Sequence, residues 1–75
     1  MKIKYVVTRY LQNETMFIFP EYVDHSKFAR HMGLPLSAGF INMKEKTCYG
    51  KSVSLKINSN PEIDNILLKQ MLNDD

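Results

Sequence analysis

The sequence predicts an α+β domain in the order β-β-α-β-β-α, a four-stranded, mostly antiparallel sheet with two helices packed on one face. Three observations carry that expectation. Residues 2–10 alternate so that Ile3, Tyr5 and Val7 share a face, and Val53, Leu55 and Ile57 repeat the same two-residue period. The strand-like runs are separated by breaks of hairpin length. Two other segments carry helix start and stop signals, from Asp24 to Gly33 and from Asn60 onward.

The first strand is rich in β-branched and aromatic residues and ends near Tyr10. Gln12, Asn13 and Glu14 form the polar break, and Thr15 to Phe19 is a second strand closed by Pro20, which has no backbone donor. Asp24 then stands at an N-cap position, with Val23 placed to staple against Phe28. A short helix over about 25–32 follows, with Phe28, Ala29 and Met32 inward and Ser26, Lys27, Arg30 and His31 outward. Gly33 and Pro35 end it.

Residues 37–57 read as the central hairpin, turning through Lys44-Glu45-Lys46-Thr47. Strict alternation back from Val53 would bury Lys51, an expensive place for an ammonium. Gly50 resolves this as a β-bulge or a close backbone approach, leaving Lys51 exposed. The second helix starts either with Asn60 as cap and Pro61 at the first helical position, the preferred register, or with a Ser59/Glu62 capping box. Its apolar positions are Ile63, Ile66, Leu67, Leu68, Met71 and Leu72; its polar ones are Asp64, Asn65, Lys69, Gln70 and Asn73. Asp74 and Asp75 oppose the helix dipole, so the helix should finish near Leu72 or Asn73.

Composition narrows the function. Residues 1–75 make one small domain, and a chain of this length buries only about 60–65% of its unfolded surface, too little for a deep catalytic cleft. Ten Lys and Arg against eight Asp and Glu leave a net charge of +2, which permits nucleic acid or membrane contact without compelling either. A lone cysteine, Cys48, closes no internal disulfide. No leader-like segment and no apolar run of membrane-spanning length is visible, so the expected location is cytoplasmic.

The search for chemistry returns no catalytic residue, metal site or cofactor. His25 and His31 are six residues apart on one helix, about 240° around its axis, so one ion cannot bridge them. Cys48 at a strand start reads as an inert buried thiol. The three glycines are explained by backbone geometry, with no phosphate loop among them. Two candidate surfaces remain. Ile63, Ile66, Leu67 and Met71 suffice to pack on a sheet, so Leu68 and Leu72 are surplus, and with Met71 they are the candidate self-association face of a homodimer. Lys2, Lys4, Tyr49, Lys51 and Lys56 are the candidate partner or nucleic-acid face, lysines with an aromatic stacking surface among them.

The Lys4–Arg9 stretch, Phe17–Pro20, Asp24-His25, Ser37–Phe40, Cys48–Ser52 and Asn60–Glu62 together resemble small accessory proteins of bacteriophages and prophages. The resemblance spans nearly the whole chain. That group has no established activity, so it transfers no site residue; it implies a gene product working inside a bacterial cell. The sequence therefore predicts a non-enzymatic domain that binds a host or phage protein, as an inhibitor of host defence or an adaptor. The alternative is a small nucleic-acid-binding regulator using the basic sheet face or the first helix.

Overall fold

The structure, a computed structural model, describes residues 2–29 and 33–73. Its elements are β1 (Ile3–Tyr10), β2 (Asn13–Pro20), α1 (His25–Ala29), β3 (Leu34–Asn42), β4 (Thr47–Tyr49), β5 (Lys51–Ser52), β6 (Ile57–Asn58) and α2 (Pro61–Asn73). The main sheet has the order β2-β1-β3-β4, with every pairing antiparallel. β5 and β6 form a separate two-stranded ribbon. The expected continuation of the first helix through Arg30, His31 and Met32, the inward packing of Phe28 and Ala29, and the tail at Asp74 and Asp75 lie outside the described residues and side chains.

β1 is central, and Tyr5, Val6, Val7 and Thr8 are all buried. Four consecutive buried residues on a strand require cover on both faces. On one face Tyr5 and Val7 join Met16, Ile41 and Cys48 beneath Leu68 of α2. On the other Val6 joins Phe19 and Ala38, closed over by Phe17, Val23 and Leu55. His25, which opens α1, contacts the rings of Phe19 and Phe40 on this second side. The helices therefore lie on opposite faces, where the sequence placed them on one. The cause is visible in β2: Met16 and Ile18 feed the first cluster while Phe17 and Phe19 feed the second, so neither face can be left open.

The hairpin β1–β2 closes with Tyr10 opposite Asn13, so Leu11 and Gln12 alone make the turn. Leu11 takes a left-handed φ of 60°, a conformation that glycine or asparagine adopts at lower cost. Along β1–β3 the register slips between Val7 and Thr8, passing from Ser37 to Pro35. Pro35 has no N–H for the ladder, and a bulge at this point accommodates it.

The second arm of the expected hairpin, interrupted at Gly50 as predicted, does not run on as a strand through residues 53–56. β4 stops at Tyr49, Gly50 turns the chain with a φ of 79°, and Lys51 and Ser52 pair instead with Asn58 and Ile57. Ser52 then seeds a turn: its hydroxyl accepts from Leu55 N at 3.2 Å and its carbonyl from Lys56 N at 2.9 Å. Serine side chains compete with the ladder in this way, and three alternating apolar residues do not outweigh it. Val53 is left 79% exposed at the turn. Lys51 is exposed, as the glycine before it predicts.

α2 begins at Pro61, with Asn60 O accepting from Ile63 N and Asp64 N, the register preferred from sequence. Its rotation about its own axis differs from expectation. Leu68 is fully buried, while Ile63 and Ile66 are 51% and 58% exposed. Two polar residues dictate this. Asp64 is buried against Tyr5 and Ser37, and Asn65 accepts from the backbone N–H of Cys48 at 2.6 Å.

Candidate functional site

The register of the sheet sets four side chains in one row on the α1 face. Lys4 lies opposite Phe19 on one side and Phe40 on the other, and Phe40 lies opposite Tyr49. Beside this row is a groove of about 590 Å³, within the range of small-ligand sites. Lys4 of β1 and Lys2 just before it line the groove. Asp24 and His25 line it as well, as do Lys51, Val53 and Ser54. Phe40 and Tyr49 also line it.

Aromatic rings run through the wall in sequence. Phe19 and His25 meet edge-on with centroids 5.4 Å apart, His25 and Phe40 edge-on at 6.0 Å, and Phe40 and Tyr49 tilted by 30° at 5.8 Å. Tyr49 is 44% exposed and so presents ring surface to a ligand. The Lys2 ammonium sits 5.1 Å from the Phe40 ring centroid, a cation–π contact that holds the charge at the groove. Lys4 Nζ donates to Val23 O at 3.0 Å, fixing the second ammonium.

Gly39 makes this arrangement possible. A Cβ there would fall well inside van der Waals contact of the Tyr49 carbonyl oxygen, so only glycine lets β4 approach at its exit. At Gly50 a Cβ would stand 3.0 Å from the Phe40 ring. The close approach expected at Gly50 is thus present.

His25 Nε2 is 2.9 Å from Gly39 O, and because a carbonyl only accepts, that nitrogen carries the proton. Burial lowers the His25 pKa from the ordinary 6.5; Lys4 acts in the same direction, while the Gly39 carbonyl and Asp24 act against it. On the opposite face burial pushes the Cys48 thiol up to about 11, with the Asp64 charge adding to the effect. The Tyr5 phenol is raised further by burial and its bond to Asp64. The signs give stability two limits. Below pH about 6.5 the unfolded chain takes up a proton that folded His25 resists, so stability falls on acidification. Above the ordinary thiol value of 9.0 the unfolded chain loses protons that Cys48 and Tyr5 retain when folded, so stability falls again. Denaturant titrations from pH 5 to 11 should show both limbs, and His25→Gln should flatten the acid one. An unchanged acid limb in that variant would refute the assignment.

Buried chemistry elsewhere faces inward. Asp64 accepts from the Tyr5 hydroxyl, from Ser37 Oγ at 2.8 Å and from Asn60 N at 2.8 Å. Cys48 beside this cluster is buried with a raised pKa, the reverse of what a nucleophile needs, and His25 lies across the sheet. Among the described residues no group of three or more His, Cys, Asp and Glu could hold a metal ion.

Of the residues singled out from sequence, Lys2, Lys4, Tyr49 and Lys51 come together at the groove. Lys56 does not line it; it sits in the turn after Ser52 with a φ of 59°. The proposed self-association trio is divided: Leu68 belongs to the core, so it cannot serve an interface, while Met71 and Leu72 are partly exposed. Asp24, His25 and Phe40 were missed as groove residues. Parity could have found Phe40, since its pairing opposite Lys4 follows once β1 and β3 are aligned. No comparable signal marks His25, which reaches the groove through tertiary packing. Comparison with protein-family models, with curated proteins and with solved structures finds no match to this chain. Among the described residues no helix is long and apolar enough to cross a membrane.

Proposed function

We propose that the groove binds single-stranded nucleic acid and that the domain acts by binding, without catalysis. The observation that supports this reading is the convergence of three lysines and the Phe40–Tyr49 ring pair, from separate segments, on one concave surface. Lysines answer phosphates and an exposed ring answers a base face, and in a duplex the base faces are covered. The resemblance to bacteriophage accessory proteins favours a setting inside a bacterial cell.

Neutralising three phosphates gives log affinity a slope of about −2 against log salt, or about 20-fold weaker binding between 50 and 200 mM. Anisotropy with a labelled oligonucleotide should show that loss. Lys51→Glu should weaken binding about tenfold at low salt, with Lys56→Glu, outside the groove, staying within about twofold. Equal losses in both variants, or binding indifferent to salt, would sink the reading. A second reading, a protein-binding adaptor or inhibitor that also pairs with itself, draws on the exposed Ile63 and Ile66 of α2. It predicts a salt-insensitive dimer that Ile66→Lys dissociates.

A further inference from the structure

Asp24 is the one acidic side chain among the described residues lining the groove, set against three lysines. A carboxylate there weakens phosphate binding, so general electrostatics gives no reason for it. Nor does it hold the fold: Asp24 is exposed, and among the described residues its side chain accepts no hydrogen bond, not even as the helix cap its position suggests. Its acceptors are therefore available to a ligand.

Resting on the nucleic-acid reading of the groove, we infer that Asp24 selects guanine, accepting its N1–H and N2–H together while the base lies against Tyr49. An ionised carboxylate only accepts, through two oxygens side by side. On its base-pairing edge guanine alone presents two adjacent N–H donors, which a carboxylate matches as a bidentate, charge-assisted pair. Adenine and cytosine offer one amino group beside an acceptor. Uracil flanks its single N–H with two carbonyl oxygens, which the carboxylate repels. The lysines Lys2 and Lys51 are then left to the flanking phosphates.

The experiment uses an oligouridine of about eight nucleotides, a length a small single-strand site spans, with one central position changed to A, C, G or inosine. A single guanine should raise affinity about 10- to 100-fold over uracil, the discrimination a good bidentate contact gives. Inosine keeps N1–H and lacks the amino group, so it should lose most of that gain. Asp24→Asn should reduce the guanine preference to within about threefold and leave the salt slope unchanged. Equal binding of all four bases, or equal preference for A, C and G, would overturn the inference while the nucleic-acid reading stands. A guanine preference that survives Asp24→Asn would also overturn it. Absence of binding to every oligonucleotide at low salt would remove the reading and the inference with it.

Discussion

Replacing Asp64 by alanine is expected to cost about 4 kcal/mol. A domain of 75 residues has roughly 4–11 kcal/mol of total stability, so a loss of this size takes from about a third of it to all of it. The carboxylate is 1% exposed and satisfies three donors from three segments: the Tyr5 hydroxyl of β1, Ser37 Oγ of β3 and the Asn60 backbone N–H at the head of α2. Alanine strands all three, and a buried donor left without a partner, as the Tyr5 and Ser37 hydroxyls would be, costs about 1–3 kcal/mol. It also removes the tie that orients α2 on the sheet. Tyr5→Phe removes one donor and leaves the carboxylate two, so its cost should be smaller, about 1.5–3 kcal/mol. Urea titrations of both variants check the order. If Asp64→Ala stays within 1 kcal/mol of the parent, the cluster does not anchor α2.

The same cluster explains where reading the sequence reaches its limit. Helix α2 shows six apolar residues, and its pattern alone favours burying Ile63 and Ile66. The side that goes inward instead carries Asp64, Asn65 and Leu68, because Tyr5 and Ser37 on other strands supply the partners that make a buried aspartate tolerable. A helix's own periodicity carries no record of partners elsewhere. The strands β1 and β2 and the start of α2 were legible because their signals are local: alternation, Pro20, and Asn60 followed by Pro61. The strand expected over Val53 to Ile57 failed for an equally local reason, the Ser52 hydroxyl, whose turn-forming bond competes with alternation. Lys4 and Tyr49 reached the groove because strand parity fixes which side chains share a face, whereas Lys2 precedes β1 and Lys51 follows the turn at Gly50. Lys56 was excluded by the turn that replaced its strand.

Gly39→Ala is expected to lower the melting temperature by about 10–20 °C, corresponding to roughly 2–3 kcal/mol for a domain of this size. The φ of Gly39 lies outside the left-handed region, so the cost is one of space rather than backbone conformation. The obstacle to a Cβ is the Tyr49 backbone carbonyl, which cannot rotate aside as a flexible side chain can. Relief requires β4 to move away from β3, loosening the register that pairs Phe40 with Tyr49 and Ile41 with Cys48. Those pairs serve opposite faces, Phe40 and Tyr49 at the groove and Ile41 and Cys48 in the core beneath α2. One methyl group therefore acts on stability and on the site together. On the proposed reading of the groove, nucleic-acid affinity should fall in this variant even at temperatures where it remains folded, because Tyr49 shifts while Lys4 on β1 and Lys2 just before it stay in place. A folded Gly39→Ala variant with parental affinity would show that Tyr49 is not a stacking surface. A parental melting temperature would show that β4 yields without cost.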